Sequence, residues 1–433
     1  MREPRVSEVL DGYVFQWGEP DYVEVVISDV RRKSDEWRGE VVIKTKPPGI
    51  PPSHITETTH TLSATQSRTQ LARTLDDSYR LANGSRWSDY LEMACVLTVR
   101  KEREGKPFTS VGALDTSTAP PLWLIDRSDR PGGYIRLHHP ASLWADGGSG
   151  KSTLAVLFGM SIVTGLELAG FTPQFMGPVI WLDWESDDWD IDDTIKCIRT
   201  GMGVEETVEF DYRREVWPFA QSFKQVARQV ETRKAALVIF DSVGYAIGGD
   251  GEKAGEVLEF VRAVRAMGTS TLLIDHVRKG DTGGKAFGSA YKFNEVRLGF
   301  ELTTTQEEGS PESIVAVKCR KANKGGKPPK LWLRTIFGEG SIRYETMRED
   351  EVPQEAISEQ GSVRERIRRT LREASGLMNA DEIAEAAGVK DKIAQVKARL
   401  SEMAEYGEVY VAQAKGSARR YGLKSGRDEG MGG

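Results

Sequence analysis

Residues 145–153 read Ala-Asp-Gly-Gly-Ser-Gly-Lys-Ser-Thr, and this stretch constrains the fold more than any other part of the chain. Glycines let successive backbone N–H groups curl around phosphate oxygens. A following lysine then reaches the β- and γ-phosphates, and a serine hydroxyl coordinates Mg²⁺. A short apolar strand pattern precedes the stretch at 141–145, and an apolar helix pattern follows it at 153–163. We therefore predict a strand, a phosphate-binding loop and a helix that together bind a nucleotide.

The predicted loop departs from the full phosphate-loop pattern at one position. That pattern has glycine five residues before Gly150, where this chain has Ala145. The departure is mild, because the amides that contact phosphate lie in the second half of the loop. A glycine-rich turn without a ligand is the alternative, and the flanking strand and helix patterns argue against it. The predicted nucleotide-binding residues are Gly147, Gly148, Ser149, Gly150, Lys151, Ser152 and Thr153.

Composition and charge restrict the class of protein. A net charge of −6 over 433 residues is ordinary, so the whole-chain balance does not indicate nucleic acid. The three cysteines are scattered and lack metal-site spacing, which is typical of a reducing compartment. The N-terminus has no apolar signal core, and the longest apolar run, 153–171, is interrupted by polar residues. We expect a cytoplasmic protein with no membrane span.

The chain divides into five parts by residue composition and apolar pattern. Residues 1–115 carry strand-like runs followed by two helical patterns, and we interpret them as a small α+β accessory domain. Residues 116–348 alternate strand and helix patterns, which predicts an α/β fold: a mostly parallel sheet with helices on both faces. An acidic, polar linker at 349–361 leads to a compact basic domain at 362–425, and 426–433 is expected to be a disordered tail.

Three strand patterns in the α/β region end in residues suited to nucleotide hydrolysis. Asp241 ends an apolar run and is predicted to hold Mg²⁺ with Ser152, although such runs also end in plain surface aspartates. Glu185 follows another strand and is the candidate that activates the attacking water. The acidic run after it is not a Ca²⁺ loop, because Asp188 stands where glycine is required. His276 ends a further strand, and three roles are open: a sensor of the γ-phosphate, a residue that couples the site to nucleic acid, and a structural histidine.

The order of these motifs resembles the RecA-fold ring ATPases, in particular the plasmid RepA and DnaB replicative helicase type, over about residues 120–348. The resemblance implies a RecA-like P-loop core. Partition-type ATPases share the Gly-Gly-x-Gly-Lys-Ser spelling, but they carry lysine where this chain has Asp146. The residues carried over in the nucleotide site are Lys151, Ser152, Glu185, Asp241 and His276.

The same resemblance gives roles to a Lys-x-Arg pair. In that family such a pair reaches the ATP bound to the neighbouring subunit, so Lys318 and Arg320 would be catalytic residues acting in trans. A solvated basic hairpin is the alternative. Two glycine-rich loops, 244–255 and 278–289, would face the centre of the ring. The second offers Arg278, Lys279 and Lys285 to a phosphate backbone.

The C-terminal part resembles a winged helix-turn-helix. Its pattern is three helices and a hairpin, with Asn379 as the cap of the second helix. Residues 362–427 contain fourteen Lys and Arg against nine Asp and Glu, a local balance of +5 that favours DNA contact. Docking to another protein is the alternative. The predicted DNA-binding residues here are Lys392, Gln395, Arg399, Lys415, Arg419 and Arg420.

These patterns together predict an ATP- and Mg²⁺-dependent DNA helicase that forms a ring, with a hexamer as the expected homo-oligomer. Single-stranded DNA would pass through the central channel, and duplex would bind at the winged helix. The predicted origin is a plasmid, phage or mobile element. A DNA-bound ATPase switch, helicase loader or recombination mediator is the second hypothesis. The third is a DNA-binding regulator with a degenerate ATPase core, which the intact acids disfavour.

Overall fold

The chain divides into two compact units, residues 1–120 with 224–231 and residues 121–223 with 232–433. None of the helices within the described residues is long and apolar enough to span a membrane. The computed structural model describes residues 3–18, 22–46, 53–79, 81, 85–108, 110, 122–128, 132–249, 253–276, 296–323, 326–353, 356–357, 363–413 and 418–423.

The first unit is an antiparallel sheet of five strands in sequence order, covered by two helices. Tyr13, Phe15 and Trp17 alternate with less buried residues along the second strand, so one face of the sheet is apolar. That face packs on buried side chains of the helices, among them Trp87. The elements are β1 (Arg5–Val9), β2 (Gly12–Trp17), β3 (Tyr22–Lys33), β4 (Glu36–Lys46), β5 (Ser53–Thr61), α1 (Thr65–Ser78) and α2 (Trp87–Glu104).

The second unit contains a nine-stranded sheet with the order β11-β10-β12-β13-β8-β14-β15-β16-β17. The pairings from β11 to β14 are parallel, and those from β14 to β17 are antiparallel. The strands are β6 (Trp123–Arg127), β7 (Ile135–Arg136), β8 (Pro140–Ala145), β9 (Phe171–Pro173), β10 (Val179–Asp183), β11 (Asp211–Arg214), β12 (Leu237–Asp241), β13 (Ser270–His276), β14 (Leu298–Thr305), β15 (Glu312–Ala322), β16 (Leu331–Gly338) and β17 (Ser341–Met347).

Helices cover both faces of this sheet, because its central strands are apolar on both sides. Ile239 on β12 belongs to the core that also holds Leu154 of α3. The next residue, Phe240, points to the opposite face and contacts Phe219 of α5 and Phe260 of α7, with ring centroids 4.8 and 5.7 Å away. The helices are α3 (Lys151–Thr164), α4 (Asp188–Met202), α5 (Phe219–Arg233), α6 (Val243–Ile247) and α7 (Ala254–Ala266). The predicted α/β class with a large, mostly parallel sheet is confirmed.

Residues 363–423 of the second unit form three helices and a small sheet with a hydrophobic cluster of their own. Asn379 caps the second helix as predicted. Its side chain accepts hydrogen bonds from the N–H groups of Asp381 and Glu382, and the Glu382 carboxylate accepts from the Asn379 N–H. The elements are α8 (Val363–Glu373), β18 (Met378–Asn379), α9 (Ala380–Ala386), α10 (Ile393–Glu405), β19 (Val409–Ala412) and β20 (Arg420–Leu423).

The acidic segment predicted as a linker is partly packed in the structure. A 3-10 turn covers Glu349–Glu351, and Val352, Ala356 and Ile357 are buried in a cluster with Trp332 of β16. The segment 349–361 is polar on average, and this average does not reveal its few apolar side chains. The predicted tail, 426–433, lies outside the described residues.

Candidate nucleotide-hydrolysis site

The predicted strand, loop and helix are present around residues 145–153. Strand β8 is buried along its whole length and ends at Ala145, and α3 begins at Lys151. Gly148 and Gly150 have φ values of +73° and +81°, which residues with a Cβ rarely adopt. The Thr304 hydroxyl on β14 donates a hydrogen bond to the Ser149 carbonyl at 2.8 Å, a contact that no local pattern indicated. The loop is therefore held between two parallel strands.

Lys151 lies beneath the loop, and its side chain is largely buried at 6% exposure. Its Nζ donates to the carbonyl oxygens of Ala145 at 3.2 Å and Asp146 at 2.9 Å. Burial lowers the pKa of Lys151, and the carboxylates of Asp241 and Glu185 act against that shift. The ammonium group thus lies where phosphate oxygens at the loop would give it strong partners.

Ser152 and Asp241 meet on the other side of the loop. The Ser152 hydroxyl donates to Oδ2 of Asp241 at 2.6 Å. Burial raises the pKa of Asp241 to about 6; the Ser152 hydrogen bond lowers it, and the nearby carboxylates of Asp183 and Glu185 raise it further. A half-buried hydroxyl and a buried carboxylate supply the hard oxygen ligands that Mg²⁺ takes together with substrate phosphates and water. The pair fits the metal of a nucleotide complex.

Other metal chemistry finds no support in the described ranges. No group of three or more His, Cys, Asp and Glu side chains there could hold a metal ion by itself. Ser152 and Asp241 would need phosphate and water oxygens to complete the coordination of a divalent cation.

Replacing Asp241 with asparagine is expected to stabilise the nucleotide-free protein at neutral pH. The folded carboxyl holds its proton up to about pH 6, against a usual value of 3.8, so its contribution to stability is present below about pH 4. That contribution is lost as the pH rises through 6, by about 3 kcal/mol in total. Thermal unfolding from about pH 4 to pH 8 measures it.

The stabilisation by Asp241→Asn should grow between about pH 4 and pH 6 and level off above that range. Asp192→Asn is the matched control, because Asp192 is a half-exposed partner of Lys196 on α4. A gain in stability from Asp241→Asn that is independent of pH would contradict the raised pKa of the Asp241 carboxyl.

Glu185 and His276 come together at the carboxyl edge of the parallel strands. His276 Nε2 lies 3.1 Å from Oε1 of Glu185. The sheet order explains the contact, because β10, β12, β13 and β8 are successive neighbours and their ends align. Asp183 lies opposite Asp241, and His276 lies opposite Ala145. The structure therefore brings the catalytic candidates Glu185 and His276 to the strand edge that carries the loop and Asp241.

Asp183 holds the Glu185 turn in place, a role that the sequence analysis missed. Its Oδ1 accepts from the N–H groups of Glu185 at 2.8 Å and Ser186 at 2.9 Å. Its Oδ2 accepts from the Ser186 hydroxyl at 2.7 Å and the Tyr212 hydroxyl at 3.3 Å. An aspartate at a strand end, followed by a turn, was the available local signal. The Tyr212 contact comes from β11 and has no local signal.

Lys318 and Arg320 lie on β15, away from the phosphate loop of their own chain. Lys318 is opposite Glu301 on β14, and Glu301 is in turn opposite Trp144 on β8. Because β15 is antiparallel to β14, Arg320 is farther from the loop than Lys318 is. Arg320 pairs with Glu301 through Nε at 2.6 Å and Nη2 at 2.5 Å. The structure does not bring this pair together with the loop, Asp241 and Glu185.

The candidate DNA-binding residues are distributed over several segments. The first glycine-rich loop is shorter than predicted, since α6 and the start of α7 occupy much of 244–255. The helix α6 forms in a glycine-containing segment because its apolar residues, such as Val243, are buried. Lys392, Gln395, Arg399, Arg419 and Arg420 are exposed. Arg399 pairs with Glu402, and Arg420 with Glu382. Arg278, Lys279, Lys285 and Lys415 lie outside the described residues.

Comparison with known proteins bears on the region that carries this site. Curated proteins include no match to the chain. Residues 100–282 match the family model of an AAA domain. The matched range contains the loop, Glu185, Asp241 and His276, and it ends before Lys318. The match supports an ATPase of the AAA/RecA-like type, a family whose members bind nucleotides.

Proposed function

We propose that this protein is an ATP-hydrolysing, DNA-associated ring ATPase, and specifically a RepA-like replicative DNA helicase of a plasmid, phage or mobile element. The observation that carries the proposal is the 2.6 Å contact between Ser152 and Asp241 beside a buried Lys151. Glu185 lies at the same edge of the sheet, against His276. This combination supplies phosphate binding, metal ligation and a carboxylate for water in one place.

Each side chain has a distinct task in the proposed reaction. Lys151 neutralises the β- and γ-phosphates, and Ser152 with Asp241 holds Mg²⁺, which would draw charge from the transferring phosphoryl group. Glu185 orients the attacking water, and His276 is positioned to sense the γ-phosphate through Glu185. Lys318 and Arg320 belong to a different surface, which supports their action on the nucleotide of a neighbouring copy in a homo-oligomer, with a hexamer as our proposal.

DNA is the proposed partner of the C-terminal part. Three helices followed by the β19–β20 hairpin are the arrangement of a winged helix-turn-helix, and α10 would be its recognition helix. Lys392, Gln395 and Arg399 are exposed on or just before α10. The local charge balance of +5 over 362–427 supports contact with phosphates more than reading of bases.

Two measurements test the proposed function together. Native mass with and without ATP should show assembly into a ring, and single-stranded DNA should raise the rate of ATP hydrolysis. A fluorescent fork substrate should then be unwound in the presence of ATP and Mg²⁺. Hydrolysis without strand displacement would assign the protein to the DNA-bound switches and loaders. A chain that stays monomeric with ATP and DNA would contradict the ring.

Glu185→Gln is expected to lower the rate of ATP hydrolysis about a hundredfold and to leave ATP affinity nearly unchanged. The amide keeps the size and a hydrogen bond to His276, but it cannot accept a proton from water. Single-turnover hydrolysis and equilibrium binding of a fluorescent ATP analogue separate the two effects. Glu206→Gln, an exposed glutamate after α4, is the matched control. Equal losses of affinity and rate would make Glu185 a nucleotide ligand instead.

A further inference from the structure

Three cations lie in one patch on the antiparallel side of the large sheet. Lys318 and Arg320 are on β15, and Lys330 comes immediately before β16. Burial lowers the pKa of Lys318, and repulsion by Arg320 and Lys330 lowers it further. The pairing of Val317 with Leu331 on the antiparallel strands β15 and β16 also sets Lys318 beside Lys330. Lys318, Arg320 and Lys330 therefore form one electrostatic group, which we call the cation patch.

Two carboxylates balance the cation patch, and they come from different parts of the chain. Glu301 belongs to β14 of the sheet itself and pairs with Arg320. Glu365 belongs to α8, the first helix of the C-terminal part, and its Oε2 lies 2.8 Å from Nζ of Lys330. Both carboxylates favour the charged form of Lys318.

The pair of Lys330 and Glu365 is well shielded from water. The Lys330 side chain is 8% exposed and that of Glu365 is 21% exposed. The Lys330 ammonium also lies 4.6 Å from the centre of the Trp332 ring. Breaking a shielded ion pair by removing one partner is strongly destabilising, so the contact holds α8 against the sheet.

A second contact on the same helix supports this docking. Arg369 lies one turn beyond Glu365, and its Nη1 donates to the Val352 carbonyl at 2.9 Å. Val352 is itself buried against Trp332. Ile367 and Leu371 on α8 pack with Val396 and Leu400 of α10. Because α8 and α10 share a core, a displacement of α10 carries α8 with it.

We propose that Glu365 is an autoinhibitory counter-ion: through its pair with Lys330 it holds α8 against the cation patch, and undocking of α8 opens this patch to the triphosphate of a neighbouring copy. The inference rests on the proposed function, in which Lys318 and Arg320 act in trans. It adds Lys330 to the group that recognises phosphate. It also makes the C-terminal part a regulator of hydrolysis, since DNA phosphates bound at α10 would supply the free energy for undocking.

The test uses the full-length protein and the substitution Glu365→Gln, which keeps the shape and removes the charge. We expect the rate of ATP hydrolysis without DNA to rise about fivefold, which corresponds to about 1 kcal/mol. The further increase caused by single-stranded DNA should shrink by a similar factor. Glu385→Gln is the matched control in the C-terminal part, because Glu385 of α9 pairs with Lys390 and is 69% exposed. It should leave the rate without DNA unchanged.

Two further readouts separate this inference from the proposed function. Amide hydrogen exchange over 363–373 should be faster in Glu365→Gln than in Glu385→Gln, and this measurement does not depend on hydrolysis. The double variant Glu365→Gln/Arg320→Ala should hydrolyse ATP no faster than Arg320→Ala alone, so the fivefold gain is lost. Equal exchange and equal rates in the two glutamine variants would overturn the autoinhibitory contact while leaving the ATPase assignment intact. Absence of hydrolysis in the parent protein with faster exchange in Glu365→Gln would overturn the release to a neighbour's triphosphate.

Discussion

Replacing Lys151 with alanine is expected to lower the rate of ATP hydrolysis about a thousandfold. The ammonium group is the cation nearest to the loop, with Nζ 2.9 Å from the Asp146 carbonyl, and it is the charge that meets the β- and γ-phosphates. Loss of one such preorganised donor costs about 10²–10³ in rate, and loss of the full charge adds to it. Steady-state hydrolysis at saturating ATP measures the effect.

Lys196→Ala is the control for this prediction. Lys196 is exposed on α4 and pairs with Asp192, and such surface pairs contribute little to stability. The Lys151 ammonium lowers the pKa of the buried Asp241 carboxyl, and Lys151→Ala removes this effect. Circular dichroism should therefore confirm that the variant folds. Full turnover by a folded Lys151→Ala protein would remove the nucleotide site from 145–153.

Arg320→Ala is expected to lower hydrolysis about a thousandfold as well, with ATP affinity preserved. An arginine supplied in trans contributes about 10³–10⁵ to phosphoryl transfer by stabilising charge that develops only in the transition state. In its own chain Arg320 pairs with Glu301, on a surface away from the phosphate loop. Rate measurements combined with binding of an ATP analogue test the prediction, and Arg320→Lys tests whether charge alone suffices.

A mixing experiment decides between action in trans and action in cis. The Lys151→Ala protein keeps its cation patch, and the Arg320→Ala protein keeps its phosphate loop. If Arg320 acts on the neighbouring copy, a mixture of the two regains hydrolysis at interfaces where an intact loop meets an intact patch. Native mass measurement should first show that the two variants form mixed oligomers. If such a mixture is no more active than either variant alone, Arg320 acts within its own chain.

Much of the site could be predicted from short stretches of sequence. The loop, the strand that ends at Ala145 and the helix from Lys151 follow from glycine content and apolar runs, which act over a few residues. The cap at Asn379 follows in the same way from an asparagine at the start of a helical pattern. Strand ends also marked Glu185, Asp241 and His276 as candidates. The roles of these residues remain predictions that the experiments above test.

Contacts between distant segments could not be predicted. The Asp183 carboxylate accepts a hydrogen bond from the Tyr212 hydroxyl, 29 residues away in the sequence. The Ser149 carbonyl accepts one from the Thr304 hydroxyl, 155 residues away. Glu365 lies 35 residues from Lys330, in a segment whose composition indicated a separate domain. Pairs at such separations depend on strand order and on helix docking, which leave no periodic pattern in the sequence.

The chemical groups are visible in the amino-acid sequence: a glycine loop with its lysine and serine, acids at strand ends, and cations in the β15–β16 region. They are visible because backbone freedom, apolar periodicity and helix capping are local properties. Which of these groups meet depends on the packing of strands and helices. The order β10-β12-β13-β8 brings Glu185 to His276 and Asp241 to Ser152. The packing of α8 on the sheet gives Lys330 the carboxylate of Glu365, because burial of apolar side chains fixes where each helix docks.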